Sequence, residues 1–162
     1  MREASFDFGK KPPVDGYTKV TEKSVYTKEK GFGLSEAAEA DERKIGEKEL
    51  NRDFLFMGGK SFIVDIENGE YIVRVSTGDY VDEGDVMTFY NVNGEKYGVW
   101  VSDGTVVERV FPVQLLTVRL NLHLKWVSIL ALTALILHKS KTLKLRMLKV
   151  PLSQNVIQLR LN

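Results

Sequence analysis

The stretch that most constrains the fold is Ser61 to Ser76, SFIVDIENGEYIVRVS. Phe62, Val64 and Ile66 alternate with Ile63 and Asp65 on one side of Asn68-Gly69. Tyr71, Val73 and Val75 alternate with Arg74 and Ser76 on the other. Alternation with period two on both sides of an Asn-Gly pair is a strong short-range signal for a β-hairpin. Glycine tolerates the positive φ of a tight turn, and asparagine tolerates it better than most residues. The stretch therefore predicts a central β-hairpin.

The rest of the chain carries further short strands. Ala4 to Gly9 alternates and stops at Gly9 and Lys-Lys-Pro-Pro; Val14 to Thr21 is weakly extended; Tyr26 to Gly33 is rich in turns. Ser35 to Glu49 is charged and lacks an apolar stripe, so it predicts a surface loop with a helical turn. Asn51 to Met57 has strand character. A second hairpin is expected where Val86 to Val92 and Glu95 to Val101 flank Asn93-Gly94, and a last strand over Thr105 to Phe111. Short strands at about ten-residue spacing, separated by turn residues, indicate an all-β antiparallel sandwich or barrel.

Charge and glycine divide the chain in two. Up to Pro112 there are 15 Lys and Arg against 22 Asp and Glu, whereas from Val113 to Asn162 there are eight Lys and Arg and no acid. All 13 glycines lie at or before Gly104, and 15 of the 18 leucines lie beyond Pro112. An acidic body argues against a nucleic-acid partner, because phosphate binding needs clustered Lys and Arg. The absence of cysteine excludes disulfides and thiolate metal sites. Met1-Arg2-Glu3-Ala4 leads into polar sequence rather than an apolar leader, so an internal location or a removed leader is expected. The apolar run Trp126 to Leu137 has 12 residues. A spanning helix needs about 20, and no membrane partner is expected.

Several pieces in order resemble one family. They are FDFG (Phe6 to Gly9), DGYTKV (Asp15 to Val20), YTKEKGFG (Tyr26 to Gly33), Arg43, RDF (Arg52 to Phe54) and IENGEYIVRVSTGD (Ile66 to Asp79). Together they are similar to the galactose-binding-like jelly-roll domain at the N-terminus of rhamnogalacturonan acetylesterase-type SGNH hydrolases, found also with some β-agarases. The resemblance implies an antiparallel jelly-roll sandwich over residues 4–112, noncatalytic and attached to a carbohydrate-active enzyme. Tyr26, Phe32, Arg43 and Asp53 match family positions and read as structural, with Arg43 and Asp53 a candidate ion pair.

Such domains close on a DG turn, a strand and an ending like INGIEI, and the Leu-rich segment 113–162 matches none of it. Reading that segment in a shifted frame yields a string of that type, DGKIELTFKMGKYFSVNGINI, when codons for Leu116 to Leu137 are chosen to suit. Residues 113–162 are therefore expected to be an anomalous, frame-shifted tail, leaving a sandwich without its final strand. DNA sequence across codons 110 to 125 decides the frame, and a packed strand over Val127 to Leu137 counts against the shift.

No nucleophilic triad is expected. An SGNH esterase needs a serine in a Gly-Asp-Ser block and a positioned imidazole to activate it. Here the nearest string is Gly78-Asp79-Tyr80, and both histidines, His123 and His138, lie in the segment past Pro112. Asp79, Asp82, Glu83 and Asp85 form an oxygen-rich loop that can hold Ca²⁺ or simply be a solvated turn. Tyr80, Tyr90, Tyr97 and Trp100 are candidates to stack on sugar rings, against the alternative of packing in the core or at its rim. The expected function is a noncatalytic carbohydrate-binding accessory domain of a polysaccharide-active esterase of the pectin or rhamnogalacturonan type. Its partners would be a polysaccharide or oligosaccharide and an SGNH hydrolase catalytic domain. The alternative is a structural domain that packs on that catalytic domain and binds no sugar.

Overall fold

The computed structural model describes residues 3–42, 49–78, 86–101, 105–126 and 131–139. It is a sandwich of two β-sheets. The strands are β1 (Glu3–Phe8), β2 (Thr18–Val20), β3 (Phe32–Leu34), β4 (Glu39–Glu42), β5 (Asp53–Phe56), β6 (Ser61–Asp65) and β7 (Gly69–Gly78). They continue as β8 (Val86–Val92), β9 (Glu95–Val101), β10 (Val106–Leu115), β11 (Arg119–Trp126) and β12 (Ala131–Lys139). One sheet runs β10-β7-β12-β1-β2, with β5 also pairing β12 and β4 pairing β5; the other runs β3-β6-β11-β8-β9. Pairing between the named strands is antiparallel except between β1 and β2.

Alternation decides which side chains meet between the sheets. Phe6 and Phe8 of β1 point inward onto Phe62 of β6, with ring centroids 4.9 and 5.0 Å apart in edge-to-face contact. Phe32 completes the group at 5.2 Å from Phe6. Val73 and Val75 come from the opposite sheet, and Leu120 and Leu122 from β11, all fully buried or nearly so.

Three expectations are corrected. Ser61–Asp65 and Gly69–Gly78 do not form a hairpin: β6 pairs with β3 and β11 in one sheet, β7 with β10 and β12 in the other. The chain arches across the core at Glu67 and Asn68, and the Tyr71 hydroxyl donates to the Glu67 carbonyl at 2.7 Å. Second, the charged stretch after Ser35 contains a strand, β4, on the edge of β5, followed by a 3-10 turn at Glu49–Asn51. Tertiary pairing there overrides a helical composition.

Third, the sandwich does not end at Pro112. β10 runs on to Leu115 along β7, β11 lies between β6 and β8, and β12 lies between β1 and β7. Leu135 and Leu137 of β12 are fully buried. The leucine-rich segment thus covers the sandwich with a strand between β1 and β7, whatever its reading frame. The physical reason is that alternating leucines satisfy the inward positions of a central strand. The hairpin at Asn93-Gly94 is as expected, with Val92 opposite Glu95.

Candidate functional site

Register sets three of the aromatic candidates on neighbouring strands. On β8 and β9, Tyr90 pairs with Tyr97 and Met87 with Trp100. Leu122 pairs with Val92, and both are buried. The opposite face of the sheet carries exposed Asn121, Asp65 and Arg119; the side chains of Tyr90, Tyr97 and Trp100 lie outside the described ones. Tyr80 and the proposed calcium loop, Asp79, Asp82, Glu83 and Asp85, lie outside the described residues, as does Arg43. Among the described residues no group of three or more His, Asp or Glu is placed to hold a metal ion.

Two polar clusters stand out. On the outer face of the five-stranded sheet, Arg119 of β11 lies opposite Asp65 of β6. Arg119 Nε donates to Asp65 Oδ1 at 2.8 Å, and the Tyr26 hydroxyl donates to Asp65 Oδ2 at 2.7 Å. A second guanidinium nitrogen donates to the Tyr26 oxygen at 2.6 Å, and the guanidinium carbon sits 4.8 Å from the Tyr26 ring centroid. The guanidinium, then the phenol, hold the Asp65 carboxyl below its usual range. The same bond to Asp65 raises the Tyr26 phenol. The result is a pre-positioned carboxylate, guanidinium and phenol on a surface, able to give and accept hydrogen bonds.

The second cluster is buried on the outer side of the larger sheet, beneath the turn that joins β1 to β2. Asp7 and Asp53 are each 2% exposed. Lys19 Nζ lies 3.3 Å from Asp53 Oδ2 and 3.8 Å from Asp7 Oδ1. The Lys11 amide donates to Asp53 Oδ2 at 2.6 Å, and the Val14 amide to Asp7 Oδ2 at 2.9 Å. Among the described residues, Asp7 Oδ1 has no hydrogen-bond donor. Burial pushes the Asp7 carboxyl above its ordinary value, against the lowering by the Val14 amide and Lys19. Among the described residues, Lys19 pairs with Asp53; the expected Arg43–Asp53 pair lies outside them.

Sequence reasoning missed both clusters. The signals were an acid between two inward phenylalanines (Asp7) and an acid ending an alternating strand (Asp65), which show the side of the strand but not the partner.

Residues 4–107 match the family described as Beta-agarase/YXIM esterase-like, galactose-binding domain-like. The chain belongs to this family. Protein YxiM from Bacillus subtilis has a similar fold, with TM-score 0.71 and 24% identity over 86% of this chain and 40% of that one. A calcium-binding mutant of Bacteroides uniformis β-glucuronidase 2 is similar at TM-score 0.67 and 11% identity, over 86% of this chain and 18% of that one. The chain thus spans less than half the length of either protein. No curated protein matches its sequence. No helix among the described residues is long and apolar enough to cross a membrane.

Proposed function

We propose that this galactose-binding-like domain is a noncatalytic carbohydrate-binding module that serves an esterase acting on pectic polysaccharide of the rhamnogalacturonan type. The reading is supported by the galactose-binding-like family match over residues 4–107 and by the exposed Asp65–Arg119–Tyr26 cluster on the outer face of the five-stranded sheet. Sugars are held by an aromatic ring against their C–H face and by polar groups that read their hydroxyls. A pre-ordered carboxylate and guanidinium lower the ordering cost of such recognition. Affinity electrophoresis in pectic and galactan gels tests it. Retardation of the chain, lost in Trp100→Ala with the far-UV spectrum intact, is expected. Equal mobility with and without polymer overturns it.

A second reading is favoured by one observation. Leu116 and Val118, in the turn from β10 to β11, are 78% and 68% exposed. Exposed apolar side chains together are what a domain interface covers. On this reading the module packs on an SGNH hydrolase catalytic domain and binds no sugar. Leu116→Asp would weaken that association in a co-purification while leaving gel mobility unchanged.

A further inference from the structure

We propose that Lys19 and Asp53 form an intramolecular amide, an isopeptide bond that staples β2 to β5, and that Asp7 is the acid that makes the bond form. Three features of the buried cluster carry this. The first is approach. Lys19 Nζ stands 3.3 Å from Asp53 Oδ2, the nearer of its two carboxylates, while the Lys11 amide hydrogen bonds to that same oxygen at 2.6 Å. A backbone donor on a carboxyl oxygen draws electron density from its carbon and steadies the charge that builds on the oxygen under attack. Gly9 permits the approach: a side chain there would occupy the space of the Asp53 carboxyl.

The second feature is exclusion of water. Asp7 and Asp53 are both 2% exposed, and the Lys19 side chain is 19% exposed. Amide formation needs the neutral amine and carboxylic acid, and desolvation of an ion pair lowers the cost of reaching that neutral state. The third is a poised third group. Asp7 Oδ1 lies 3.8 Å from Lys19 Nζ and, among the described residues, has no donor of its own. Burial raises its carboxyl above the ordinary value, the direction that favours the protonated form of a proton donor.

The chemistry balances without any co-reactant. The Lys19 ammonium passes a proton to the Asp53 carboxylate. The free amine attacks Asp53 Cγ, forming a C–N bond. Asp7 gives its proton to the departing hydroxyl and takes one from the nitrogen. The Cγ–O bond breaks, one water leaves, and Asp7 is regenerated. No electrons are gained or lost.

Intact mass of the full chain under denaturing conditions tests the proposal. The expected mass is one water below that of the sequence, with a branched tryptic peptide joining the segments around Lys19 and Asp53. Lys19→Arg, which keeps the cation but cannot form the amide, restores the full mass and lowers the unfolding midpoint. Asp7→Asn folds but retains most of the missing water, because the proton carrier is gone. A wild-type chain at full sequence mass, or a missing water that maps to any other pair of residues, overturns the proposal. An Asp7→Asn chain that forms the bond as completely as wild type overturns the role of Asp7.

Discussion

Two Asn-Gly pairs in this chain stand between alternating segments, and they fold differently. Asn93-Gly94 closes a hairpin, with φ of 50° and 93° at its two residues and Val92 opposite Glu95. Asn68-Gly69 joins strands of opposite sheets; Asn68 is not among the residues of positive φ. A type I′ hairpin needs positive φ at both central positions. The difference lies in the surroundings. Asn93 is tied to β11 by three bonds: its amide to the Asn121 carbonyl at 3.1 Å, its side-chain oxygen from the Asn121 amide at 2.8 Å, and its side-chain nitrogen to the Arg119 carbonyl at 3.0 Å. Asn68 makes one long contact, 3.4 Å, to the Leu116 carbonyl. An Asn-Gly pair permits a hairpin; it does not choose the partner strand.

That comparison can be broken at several points. Phe62 sits on the core side of the arch under Phe6 and Phe8, so Phe62→Ala should show the largest loss, about 3–5 kcal/mol in chemical denaturation. A loss below 1 kcal/mol would mean the two sheets do not meet there. Asn93→Ala is expected to cost about 1–2 kcal/mol, since it removes side-chain bonds and forces alanine into the left-handed region. Tyr71→Phe, which deletes the hydroxyl bond that holds the arch, should cost about 1 kcal/mol in the same assay. Asn68→Ala should change the midpoint by less than about 0.5 kcal/mol. Equal effects at Asn68 and Asn93 would show that the two turns are alike after all.

The two polar clusters sharpen the contrast through pH. Asp65 has its folded value lowered, so its contribution is present above the ordinary carboxylate value of 3.8 and is lost as pH falls through the folded value. Asp7 has its folded value raised, so the folded state binds its proton more tightly. The fold therefore gains stability as pH falls through that value toward 3.8. Thermal unfolding followed from pH 7 downward should show a rise attributable to Asp7 before the acid loss attributable to Asp65. Asp7→Asn should remove the rise, and Asp65→Asn should soften the loss below it. A monotonic fall in wild type that neither variant alters would contradict both assignments.

Much of the strand content was legible because alternation is local. Phe6, Phe8, Phe62, Val64, Val73 and Val75 all point to the core as their spacing requires. Trp100 and Tyr97 were separable by parity, whereas the pairing of Leu122 with Val92 was not legible in the sequence. The clusters were not legible. Arg119 meets Asp65 across 54 residues and Tyr26 across 93, and Lys19 meets Asp53 across 34. Nothing in the composition of the Leu-rich segment points to Arg119 as a partner for either.

Which residues could be strands, which side of each strand is apolar, and where the chain can turn were determined by the sequence itself, since each depends on neighbours two to four residues away. Which strand lies beside which was decided only in the tertiary structure. A strand has two hydrogen-bonding edges, and those of β7 are taken by β10 and β12, those of β6 by β3 and β11. With no edge left for each other, β6 and β7 face across the core. The Asn-Gly pair between them becomes an arch because all four edges are filled by segments distant in the chain.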